Sequence, residues 1–120
     1  MIDYHTLLIP ALFIFMDMLT GTLQAMKNKT LSSTKMREGI YHKLGYCLSV
    51  ALAGLCEWGV IFLDLGYTAP LVTPICIMIS LTEIISIIEN ISRINPEIAN
   101  IGVFDLLGEN RNRRTADKEN

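Results

Sequence analysis

Three long apolar runs, separated by short polar segments, organise this chain. They cover about residues 7–26, 44–63 and 69–91, each close to the roughly 20 helical residues that cross the hydrocarbon core of a bilayer. A helix on a water-soluble protein carries apolar residues at i, i+3, i+4 and i+7 and a charged face opposite them. These runs instead hold one or two ionisable groups each and are apolar nearly all round. The pattern predicts an all-α integral membrane protein with three transmembrane helices.

Helix punctuation sharpens the boundaries. Thr6 is placed to cap the first helix with Pro10 in its first turns, and Thr68 precedes Pro70 at the start of the third. Pro74 lies one turn further in, where it would remove the hydrogen bond to the Pro70 carbonyl and bend the helix. Residues 64–68 read as a tight external turn, and Asn95-Pro96 as the end of the third helix. Beyond it Ile98, Ile101, Phe104, Leu106 and Leu107 alternate with Glu97, Asn100 and Asp105, which predicts a short cytoplasmic amphipathic helix over about 96–107. Residues 109–120 are charged and polar, the composition of a disordered tail. The chain thus divides into a membrane domain over 1–108 and a tail over 109–120.

Composition agrees with that reading. Of 120 residues 51% are apolar and only 18% charged, against a usual ~25%, with a mean hydropathy of +0.39. A chain of this size is one domain, and disordered, collagen-like and mucin-like classes are excluded. Cys47, Cys56 and Cys76 are odd in number and sit in apolar runs, so they form no disulfide framework. His5 and His42 leave little material for a metal site. No Gly-rich phosphate loop, nucleophile elbow, HExxH or CxxC motif is present, and Ser32-Ser33 with His42 lie in a short basic loop without a scaffold. No enzyme activity and no cofactor are expected.

The placement of charge adds topology. All ten Lys and Arg residues fall outside the three apolar runs. Lys27, Lys29, Lys35, Arg37 and Lys43 fill the first loop, and Arg93, Arg111, Arg113, Arg114 and Lys118 follow the third run; the N-terminus and the 64–68 turn have none. Basic residues are retained on the cytoplasmic side, so the expected orientation is N-terminus outside and C-terminus inside. Met1-Ile2-Asp3-Tyr4-His5 lacks the positive n-region of a signal peptide, and the first run reads as a retained span. The basic groups are expected to set topology and to touch anionic lipid rather than nucleic acid. Trp58 is placed to anchor at the outer interface.

The polar residues inside the runs are the candidate functional groups. Asp17 falls mid-span, where an ionised carboxylate costs on the order of 2.5–3.5 kcal/mol. Leu7, Leu8, Ile9, Leu12, Phe13, Ile14, Phe15, Leu19 and Leu23 together offset it by about 3–5 kcal/mol. Asp17 shares a face with Thr20, Gly21 and Gln24. The second run carries Gly45, Ser49, Ala53 and Glu57 at intervals of four, a small-residue ridge that lets membrane helices approach, and the third carries Ser80, Glu83, Ser86 and Asn90 on one broad face. A thin three-helix bundle is not expected to enclose three carboxylates fully. Self-association through these stripes, which would then be oligomerisation or pore-lining surfaces, is the natural remedy; a monomer whose acids are neutral or snorkel is the alternative. Glu57 and Glu89 lie near enough to span ends to snorkel, and Glu89 and Arg93 have the i, i+4 spacing of a helical ion pair.

Taken in order, several of these residues resemble the phage lysis and toxin-secretion holins of Gram-positive bacteria and their phages. The resemblance covers roughly residues 10–108. It rests on Asp17 with Thr20-Gly21 and Ala25, on Lys29-Thr30-Leu31-Ser32-Ser33, on Gly39 with Lys43, and on Glu83-Ile84-Ile85-Ser86-Ile87-Ile88-Glu89-Asn90; the polar, Arg-bearing tail also fits. The second run, with Glu57 and Trp58, contributes no matching motif. The resemblance implies a protein of the host cytoplasmic membrane that forms large homo-oligomers and opens lesions at a set time. Through these an endolysin or toxin leaves the cell, without necessarily touching the holin. A small proton-coupled transporter or ion channel using intramembrane carboxylates, or a membrane adaptor whose basic loop and tail bind a cytosolic partner, are the competing classes. A holin passes folded proteins, a transporter only small solutes, and an adaptor nothing.

Overall fold

A computed structural model describes residues 3–100, and over them the chain is helical with no strand. Helix α1 spans Tyr4–Lys27, α2 Ser33–Phe62 and α3 Val72–Ile94, followed by a short 3-10 turn over Pro96–Asn100. At 1.5 Å per residue they are about 36, 45 and 35 Å long, and all three are long and apolar enough to cross a membrane.

Helix α2 begins some eleven residues before its apolar run, at Ser33 rather than at 44. Ser32 is its N-cap, the hydroxyl accepting the Lys35 N–H at 3.5 Å, and no proline interrupts the stretch that follows. The basic loop of the sequence reading therefore shrinks to residues 28–32. Lys27 closes α1, and Lys35, Arg37 and Lys43 ride on α2. At about 45 Å, α2 is longer than the ~30 Å hydrocarbon core, and its charged Lys35, Arg37, Glu38 and Lys43 all fall in its N-terminal half.

The other helix starts also move. Asp3, not Thr6, caps α1: its carboxylate accepts the His5 N–H at 3.3 Å, and its carbonyl accepts the Thr6 N–H at 3.0 Å. The hydrogen bond with the His5 side chain holds the Asp3 carboxyl below the usual carboxylate range. Because α3 starts at Val72, Pro74 falls in its first turn, where backbone N–H groups have no intrahelical acceptor. The ladder bond whose loss was expected to bend the helix is one that α3 does not need. Pro10, by contrast, lies inside α1 and leaves the Thr6 carbonyl without its ladder donor.

Both α1 and α2 end in Schellman turns. Thr30 N–H returns to the Ala25 carbonyl at 2.9 Å and Leu65 N–H to Val60 at 3.3 Å. The left-handed position that glycine usually fills is taken by Lys29 (φ 55°) and Asp64 (φ 51°).

Helix α3 lies between the other two, while α1 and α2 make little direct contact. Its buried residues, Val72, Cys76, Ile79, Ser80, Glu83, Ile87 and Asn90, recur at helical spacing along one face. A small apolar core joins Ala53 of α2 to Val72 and Cys76, with Val50 and Ile75 around it. Large apolar side chains such as Leu48, Leu52, Leu55, Phe62, Met78 and Leu81 point outward, the arrangement of a protein solvated by lipid.

Each end of α3 is held by a charged side chain from a different neighbour. Its N-cap, Leu71, offers no side-chain cap of its own. Glu57 of α2 supplies one, accepting the N–H groups of Leu71 at 2.6 Å and Val72 at 2.8 Å. At the other end Lys27 of α1 donates to the Ile94 carbonyl. An acid at the N-terminus and a base at the C-terminus both complement the helix dipole.

Of the amphipathic helix expected over 96–107, residues 96–100 form the 3-10 turn, and 101–107 lie outside the described residues. So do the tail over 109–120 and its Arg111, Arg113 and Arg114.

Glu57→Ala should destabilise the bundle by about 1–2 kcal/mol by stripping the cap from α3, and Glu57→Gln, which keeps an acceptor oxygen, by less. Unfolding in detergent followed by the fluorescence of Trp58, the only tryptophan, checks the order.

Candidate functional site

One charged side chain from each helix meets the other two inside the bundle. Asp17 sits mid-way along α1, Glu83 mid-way along α3, and Lys43 about a third of the way along α2. The Lys43 ammonium donates to Asp17 Oδ2 at 2.5 Å and to Glu83 Oε2. Their side chains are only 12% (Asp17), 14% (Lys43) and 2% (Glu83) exposed. Lone charges here would each bear the insertion cost of a charge in lipid; one base bridging two acids offsets most of it.

Neutral groups complete the coordination. Asn90 Nδ2 donates to Asp17 Oδ1 at 3.0 Å and to Thr20 Oγ1 at 3.2 Å. Thr20 in turn donates to the Met16 carbonyl at 2.8 Å. Ser86 stands beside Asp17. The Tyr46 ring lies 5.8 Å from the Lys43 nitrogen, and its hydroxyl is 2.8 Å from His42 Nε2. Gly21 faces Asn90 across the α1–α3 contact, where a Cβ would stand at an ordinary contact distance of 3.4 Å from Asn90 Nδ2. Among the described residues no buried side-chain nitrogen or oxygen lacks a partner.

The structure thus brings together Asp17, Thr20, Gly21, Glu83, Ser86 and Asn90. It divides the remaining candidates. On α2, Ala53 packs in the core and Glu57 caps α3, whereas Gly45 and Ser49 face outward, the Ser49 hydroxyl donating to the Gly45 carbonyl at 2.8 Å. Ser80 is buried and donates to the Cys76 carbonyl at 2.8 Å, and Gln24 accepts from the Asn28 side chain at 3.3 Å.

Three helices enclose two of the three carboxylates, Asp17 and Glu83, because a lysine from α2 joins them, and Glu57 stays half-buried. One expectation is corrected. Lys43 is not a loop cation facing lipid headgroups: it is on α2 and turned inward, its long aliphatic stem carrying the ammonium to the carboxylates. Sequence reasoning missed it because the helix was taken to begin with the apolar run. Ser32 as a cap, with no proline after it, was the available signal. Tyr46, which covers Lys43, carried no signal of its own.

Between the basic-end halves of α1 and α2, with α3 behind, lies a cleft of about 600 Å³. Asp17, Lys43 and Asn90 line it, as do Lys35 and Arg93, whereas Lys29 and Arg37 do not. Among the described residues no three His, Cys, Asp or Glu side chains converge to hold a metal ion.

Three membrane-length helices clasped by an internal ion-pair cluster define a polytopic membrane protein. More narrowly, the chain belongs to the bacteriophage holin family, whose model matches residues 3–101. Holins are membrane-permeabilising proteins of phage lysis. No curated protein and no solved structure matches the chain.

Lys43→Met should cost about 3–5 kcal/mol, since it strands two buried carboxylates. Adding Asp17→Asn and Glu83→Gln should recover most of that loss. Unfolding of the single and triple variants in bicelles tests this: equal stability of the two would mean that the charges are not coupled.

Proposed function

We propose that this holin accumulates in the host cytoplasmic membrane with its N-terminus outside and its basic end inside. There it homo-oligomerises and opens lesions through which an endolysin or toxin leaves the cell at a timed point of lysis. Residues 1–108 would form the membrane domain and 109–120 a cytoplasmic tail. The observation that carries the reading is the Asp17–Lys43–Glu83 cluster, charge buried in a bundle whose outer surface is apolar.

A monomer in this state hides its charge from lipid and can accumulate without damage. Helices in lipid associate through close packing and polar contacts rather than through hydrophobic burial. The outward Gly45 and Ser49 give α2 a small-residue surface for a neighbouring copy. If bundles open on assembly, Asp17, Lys43 and Glu83 lose their partners and require water, and the faces that carry them become the lining of a hydrated hole. The excess of basic residues at one end supports the orientation.

Inducible expression in a bacterium beside a folded cytosolic reporter enzyme tests the function. Abrupt growth arrest with reporter activity in the medium is expected. Loss of membrane potential without reporter release would instead indicate a small-solute channel or transporter. Asp17→Leu should shift the time of lysis and the oligomer size on cross-linking; unchanged lysis and assembly would remove Asp17 from the mechanism.

A further inference from the structure

We propose that the cleft between α1 and α2 binds the phosphodiester headgroup of one anionic phospholipid. This proposal concerns the closed bundle and stands whether or not the protein opens lesions.

At the basic end of the molecule Lys35 and Arg93 line the cleft from α2 and α3. Both are exposed, and they come from two different helices rather than from one face. Next to them Ser32, Asn28 and Gln24 supply hydroxyl and amide groups, which suit phosphate oxygens or a hydroxylated headgroup. Met18, Ala25, Leu31, Met36 and Ile40 line the same space with apolar surface, so an occupant with both an anionic head and hydrocarbon matches the walls where a soluble anion matches only the rim. The volume, about 600 Å³, is that of a small-molecule site. Basic pockets between membrane helices at the headgroup level favour anionic lipids, and the charged N-terminal turns of α2 border the cleft at this end. Below the rim Asp17 and Glu83 share the Lys43 ammonium and leave it no charge to spare, so Lys35 and Arg93 supply the positive charge that an occupant would meet first.

The site makes the bound lipid part of the fold. A headgroup between α1 and α2 would fill the gap beside the Asp17–Lys43 contact and would seal the cluster from the basic side.

Native mass spectrometry of the full chain, released from vesicles of equal parts phosphatidylglycerol and phosphatidylcholine, tests the assignment. The wild-type protein should retain one phosphatidylglycerol in preference to phosphatidylcholine. Lys35→Gln with Arg93→Gln should lower that preference about tenfold. Lys29→Gln with Arg37→Gln removes the same charge outside the cleft and should change it by less than about twofold. Circular dichroism identifies any variant that fails to fold. Equal losses in both pairs would mean diffuse surface attraction, and no loss in the first pair would remove the site; either overturns the proposal. Inorganic phosphate should leave the adduct in place, and displacement by it would assign the cleft to a soluble anion. A disulfide between copies through Met36→Cys, in a chain with Cys47, Cys56 and Cys76 replaced by alanine, would assign the cleft to a second copy and overturn the lipid.

Discussion

Charge inside lipid needs a partner, and in this bundle a single ammonium serves two carboxylates. Lys43 is the only ion-pair partner of both Asp17 and Glu83 among the described residues. Because α1 and α2 touch so little, it is also their main link. The features around it serve that junction: Asn90 ties Asp17 to Thr20, and Tyr46 covers the ammonium from outside. The apolar core of Ala53, Val72 and Cys76 is too small to set the arrangement alone. Polar contacts therefore fix how the helices sit, as expected where lipid is as apolar as the side chains and burial gives little drive.

The helix count and type were legible because a bilayer allows few ways to hide backbone polar groups, and length with hydropathy then decides. Asp17, Thr20, Gly21, Glu83, Ser86 and Asn90 were legible as a set for a related reason: polar groups amid apolar runs are costly and must meet something. What they meet was not legible. The extra turns of α2 hold Lys35, Arg37 and Glu38, and hydropathy reads such turns as loop although nothing in them stops a helix. With the boundary misplaced, Lys43 fell outside the membrane and the two acids lacked a base.

Glu57 illustrates a second limit. Its position near a span end pointed to snorkelling, yet it turns to the start of α3, fourteen residues on. Cross-helix capping has no periodicity; it depends on where a turn delivers two exposed N–H groups, and Asp64 and Gly66 set that path with their left-handed backbones. Lys27 does the same at the opposite end, its sequence position explaining only that it is basic. Family membership and fold thus agree on a holin-family membrane protein whose three helices are held together by polar contacts.

The order of the three charged residues along the chain has a consequence for biogenesis. Asp17 is synthesised first, Lys43 next and Glu83 last. As the helices enter the membrane in turn, the running charge of the buried cluster passes from one negative, through neutral, to one negative. An acid–acid–base order would at one stage leave two like charges together in the bilayer. The alternation lets Lys43 meet Asp17 already in place, and by the time α3 enters, Glu57, Lys27 and Lys43 have all preceded it.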